Sequence, residues 1–145
     1  MTVLTTISKL QALHLTITGI VSAPTERFAS INSVKLPLVF VSPGPALWNP
    51  HAIGFKRQDR EYTIEVIAGA VSQGRGIDQN YQKAVGLLDG FGSLYINNQT
   101  LDHTVDHIGA DEGRWSDTGI MEIEIAGAKF WGFSITLPVT EKTST

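Results

Sequence analysis

Apolar residues at Val3, Ile7, Leu10 and Leu13 recur at three- and four-residue intervals, so residues 2–14 predict an amphipathic opening helix. Gly19 and Pro24 bar its continuation. Residues 23–33, small and polar around Phe28 and Ile31, predict a loop. Residues 34–41 (VKLPLVFV) are apolar almost without a break, as in a strand, and Pro37 points to an edge position or a bulge. From 61 to 71 the pattern alternates, with Tyr62, Ile64, Val66, Ala68 and Ala70 on one face. The turn Gly74-Arg75-Gly76 ends that strand, and Asp78 is placed to cap a helix over 78–95. Its stripe is Ile77, Tyr81, Ala84, Val85, Leu88, Phe91 and Tyr95. Gly86, Gly90 and Gly92 weaken that helix by about 1 kcal/mol each against alanine, unless they serve close packing on a sheet. Residues 101–108 predict a short strand and 109–118 a polar turn. Met121, Ile123 and Ile125 alternate with Glu122 and Glu124, and Trp131, Phe133, Ile135, Leu137 and Val139 alternate on a last strand. The polar tail EKTST is expected to fray. The order α-β-β-α-β-β-β predicts a single α+β domain over 1–145, with helices on one face of a mainly antiparallel sheet.

The stretch that fits no periodic element is 42–60, SPGPALWNPHAIGFKRQDR. Pro43, Pro45 and Pro50 argue against a helix or a central strand, which leaves a long irregular connection of the kind that is generally functional. Leu47, Trp48, Ile53 and Phe55 make it too apolar to be a disordered linker. It must bury itself against its own domain or against another chain. Trp48 and Phe55 are the natural anchors of such a contact, and Lys56, Arg57 and Arg60 form the one dense cationic cluster beside them. Leu47, Trp48, Phe55, Arg57 and Arg60 are therefore the expected subunit-interface residues.

Composition narrows the chemistry. With 145 residues and no cysteine, disulfides, thiolate metal sites and cysteine nucleophiles are excluded. The opening residues lack the pattern of a signal peptide, and no apolar run is long enough to cross a bilayer. A net charge of −3 gives no general footprint for nucleic acid. Asp102, His103, Asp106 and His107 come nearest to a metal cluster, but on a strand the two histidines stand about 13 Å apart, too far for one ion. Glu122 and Glu124 have the spacing of a carboxylate pair, yet solvated strand faces carry charges at the same interval. The Gly74-Arg75-Gly76 turn lacks the second half of either phosphate-loop pattern. The chain is expected to carry no catalytic constellation, no cofactor and no metal.

The run LPLVFVSPGPALWNPHAIGFKRQDREYTIEV (36–66), the helix with Tyr81 and Leu88, and the closing GFSITLPVTEK (132–142) resemble the small tail terminator, or tail completion, proteins of long-tailed bacteriophages. The resemblance implies an α+β structural protein of the virion tail, assembled in the host cytoplasm. Such proteins form a ring, usually a hexamer, at the head-proximal end of the tail tube. The ring ends tube growth and joins the tail to the head connector protein. DNA passes through its lumen without specific binding, and no membrane is involved. Two alternatives stand beside it. One is another head–tail connector or ring component of a tail-like apparatus. The other is a small α+β enzyme or ligand-binding protein with a pocket under the 42–60 loop, using His51, His103 or His107 as acid–base groups.

Overall fold

The computed structural model describes residues 3–24, 36–52, 55–71, 79–101, 105, 107–109 and 114–144; the side chains at 49–52, 55–56 and 142–144 are not described. The elements run α1 (Val3–His14), β1 (Leu38–Ala52), β2 (Phe55–Ala70), α2 (Gln79–Asn97), β3 (His107–Ile108), β4 (Ser116–Asp117), β5 (Met121–Ile125) and β6 (Ala128–Ser144). The fold is α+β, with two helices on an antiparallel sheet ordered β1-β2-β6-β3, while β4 and β5 also pair with β6. β4 is a two-residue addition inside the stretch that reads as a polar turn.

The long last strand organises the molecule. β6 pairs along its length with β2 on one side, and on the other side with β5, β4 and β3 in succession. Alternation puts Phe133, Ile135, Leu137 and Val139 on the face toward the helices, beside Tyr62, Ile64 and Val66 of β2 and Val39 and Val41 of β1. Leu10 of α1 and Ala84, Leu87, Phe91 and Tyr95 of α2 close this core. Phe91 meets Phe133 edge-on at 5.8 Å between ring centroids, a favoured aromatic geometry. A smaller cluster, Leu38, Phe40, Ile67 and Phe130, lies on the opposite face, with Ile123 and Ile125 against it.

The expected face of β2 holds from Tyr62 to Ala68 and then fails. A register shift between Ile67 and Gly69 adds a residue to one strand, so Ala70 is exposed; Ile67, just before the shift, is on the second face by plain alternation and is buried there. On α2, Leu87 replaces Val85 and Tyr81 in the buried stripe; the latter two stay roughly 40% exposed. Of its glycines only Gly90 makes a close approach, and to Ile17 beyond α1 rather than to the sheet. Gly132 is required by its neighbours, since a Cβ there would lie 2.2 Å from the Val66 carbonyl oxygen.

His14, at the end of α1, is fully buried against Phe91 and Tyr95 and shares a 2.7 Å hydrogen bond through Nε2 with the Tyr95 hydroxyl. Its Nδ1 is buried with no hydrogen-bond partner. Burial pushes the His14 pKa down to about 3, so it is neutral across the physiological range.

Candidate functional site: a three-stranded arm and its polar root

The described residues of 42–60 are not an irregular loop. They form the distal halves of β1 and β2, with the register running from Ser42↔Thr63 to Ala52↔Phe55. The prolines are accommodated because β1 is the outermost strand at this side of the sheet, where missing N–H donors cost no inner ladder bonds. The ladder also shifts between Pro43 and Ala46 and again between Pro50 and Ala52. At the first shift Gly44 passes so close to β2 that a Cβ would sit 2.8 Å from the Glu61 carbonyl oxygen. The tail behaves likewise. Residues 141–144 are not frayed but continue β6, pairing with residues 55–58 of β2. Outward from Arg60 and Val139 the sheet narrows to β1, β2 and β6, a three-stranded arm with the two-residue β3 beside its root.

Alternation continues into the arm while its chemistry changes. In phase with Tyr62 on β2 come Arg60 and Gln58; in phase with Val139 on β6 comes Glu141. Glu141 is fully buried and Gln58 nearly so. Thr6 of α1 donates to Glu141 Oε1, and Gln58 Nε2 donates to Glu141 Oε2 at 2.7 Å. Arg60 donates to Gln58 Oε1 at 2.9 Å and to the Gly44 carbonyl at 2.8 Å, while its Nε is buried without a partner. The guanidinium carbon lies 5.9 Å from the centroid of Trp48, a cation–π distance. Tyr62 borders the same group, and its pKa is pushed up to about 12, first by burial and then by the Glu141 charge. The chain Trp48–Arg60–Gln58–Glu141–Thr6 thus ties the edge strand of the arm to α1.

Of the sequence-predicted interface residues, Leu47 is 65% exposed and Trp48 53% exposed, on successive positions of β1 and hence on opposite faces of the arm. Phe55 opens β2; its side chain lies outside the described residues. Arg57 is on the face away from the helices, where its Nε donates to Asp59 at 3.3 Å, and Asp59 also accepts from Thr140 at 2.8 Å. Arg60 is on the other face, turned into the network described above. Arg57 and Arg60 of the cationic cluster are therefore on opposite faces. Sequence reasoning missed Thr6, Gln58, Tyr62 and Glu141 as a group. Gln58 and Glu141 keep the phase of the apolar residues beside them, but a polar residue in that phase reads from sequence as solvated.

The pocket alternative places a loop over 42–60, where the described residues, 42–52 and 55–60, are sheet. A groove of about 180 Å³ beside the root of the arm is lined by Arg57, Asp59, His107, Gly109, Pro138, Val139 and Thr140. His107 is exposed on β3 opposite Thr140. His103, Asp102, Asp106 and the 74–76 turn lie outside the described residues, as do the side chain of His51 and Asp78. Glu122 and Glu124 are exposed on β5. Among the described residues no three histidine or acidic side chains gather to hold a metal, and no helix is long and apolar enough to cross a membrane. No family model and no curated protein sequence matches the chain.

Proposed function

We propose that the protein is a structural component that assembles with copies of itself through the arm, in the manner of the tail terminator ring of a long-tailed phage. On this reading it ends tail-tube polymerisation at the head-proximal end and joins the tube to the head connector. The observation that carries the reading is the exposure of Leu47 and Trp48 on both faces of a braced, sheet-built arm. A rigid arm loses little entropy on docking, and a tryptophan offers the largest apolar surface for an anchor. Support also comes from the buried network at the root, which fixes the arm to the body before any partner arrives. Trp48, Leu47 and Phe55 supply the apolar contact; Arg57, half-buried and weakly paired with Asp59, supplies a cation, and Arg60 holds the indole of Trp48 in place. Size-exclusion chromatography with light scattering, together with capping of purified tail tubes, tests the reading. Wild-type protein is expected to form a ring or to cap tubes, and Trp48→Ala to stay a folded monomer that caps poorly. A wild-type chain that is strictly monomeric and leaves tube length unaffected would overturn it.

A further inference from the structure

The outer face of β2, away from the helices, carries an uneven charge stripe. Reading from the arm tip inward it presents Arg57, Asp59, Glu61, Thr63 and Glu65. The register sets Lys142 beside Arg57 at the tip, whereas the neighbours of the inner carboxylates are neutral: Pro138 beside Glu61, and Phe40 and Ser134 beside Glu65. Within the described residues the ion pair on this face is Arg57–Asp59, and both members are more than a third exposed, so it is a weak surface pair. Glu61 and Glu65 lie roughly 13 Å apart along the strand. Their surroundings on the same face, Ser42, Thr63, Ser134 and Thr136, are half-buried hydroxyl residues.

From this placement we infer that the outer sheet face around Glu61 and Glu65 is the acceptor for the arm tip of a second copy of the chain, a head-to-tail contact in which Arg57 is received between Glu61 and Glu65. The inference rests on the assembly reading above and names the surface that reading leaves open. Charge complementarity selects the occupant, because Arg57 lies toward the tip of this face while Glu61 and Glu65 lie further in, among hydroxyl residues. It also selects the geometry. A two-fold contact with the stripes antiparallel would set Glu61 or Asp59 against its own copy at the axis, and like charges in register oppose association. Head-to-tail placement avoids that clash and repeats from copy to copy.

Charge exchange tests the contact. Arg57→Glu and Glu61→Arg, each alone, are expected to weaken self-association by at least about tenfold, since each juxtaposes like charges. Mixed in equal amounts, the two variants should associate nearly as well as wild type, because each then offers the complement of the other. Wild-type assembly should weaken as salt rises. The absence of native cysteine allows a second readout. With a bifunctional thiol reagent, needed because two long side chains hold the backbones beyond the roughly 7 Å that a disulfide spans, Arg57→Cys/Glu65→Cys should give a ladder of cross-linked oligomers, whereas Glu61→Cys alone should give none. If wild type assembles while either charge variant assembles equally well, or the mixture fails to recover, or Glu61→Cys links to itself, this inference is overturned and the assembly reading survives. A wild-type chain that neither assembles nor caps tubes overturns both.

Discussion

The two halves of the β1–β2–β6 sheet share one backbone geometry and are held by different forces. In the body, the face toward the helices is filled by Tyr62, Ile64, Val66, Phe133, Ile135, Leu137 and the helix residues Leu10 and Phe91, all buried. In the arm the same face carries Arg60, Gln58 and Glu141, and the apolar side chains Leu47 and Trp48 are the exposed ones. Burial of apolar area is non-directional and tolerates small shifts, whereas a hydrogen-bonded network fixes positions and tolerates few. The body is thus built for stability and the arm for aim. The change falls between Tyr62 and Arg60, successive positions on one face of β2.

Acid should break the body first. A folded-state pKa lowered to about 3 means that the unfolded chain binds the His14 proton more readily. The stabilisation is complete above pH 6.5 and is lost as the pH falls toward 3. With about 1.4 kcal/mol per unit, the loss reaches on the order of 4–5 kcal/mol at pH 3. Urea unfolding from pH 7 to pH 4 should show this slope, and His14→Gln, which keeps a polar partner for Tyr95, should flatten it. An unchanged slope would mean that His14 is accessible in the folded chain. Phe91→Ala is expected to remove about 3–5 kcal/mol by leaving a cavity between α2 and Phe133, read as a drop in Tm.

Effects at the root of the arm should be smaller. Glu141→Ala leaves Gln58 Nε2 and the Thr6 hydroxyl without their acceptor, at about 1–3 kcal/mol, measured by chemical denaturation. Glu141→Gln should recover part of that loss if hydrogen bonding rather than charge holds the root. Smallest of all, Trp48→Ala should change the isolated chain by no more than about 1 kcal/mol, the scale of one exposed cation–π contact. A loss of several kcal/mol would move Trp48 from the arm's surface into the core and erase the contrast between the halves.

The elements legible in the sequence are those whose periodicity is set by a single buried face. The alternation through Tyr62, Ile64 and Val66 and that of Phe133–Val139 follow from one apolar side and one polar side, and Val3–His14 follows from Val3, Ile7, Leu10 and Leu13, although the polar Thr6 and His14 are buried beside Leu10. The stretch 42–60 escapes such reasoning because proline is compatible with a strand only at an edge. Whether β1 lies at an edge is decided by the pairing of β2 with β6, far along the chain. The tail escapes it for a related reason. Lys142, Thr143 and Ser144 have the composition of a frayed end until β2 supplies the partner strand that orders them. Glu141 shows the remaining limit, since a polar residue in phase with Leu137 and Val139 reads as solvated until Thr6 and Gln58 arrive from elsewhere in the chain.

The continuity of β6 has a mechanical consequence. One strand of 17 residues, roughly 55 Å long, runs from the β5 turn through the core to the arm. A pull on the arm tip along the strand axis loads the β2–β6 ladder in shear, so that its bonds must yield together, whereas a pull across the sheet would peel them one at a time. The arm can therefore bear tension along its length, and an atomic-force pull from residue 144, the outer end of β6, should meet a higher rupture force along the strands than across them.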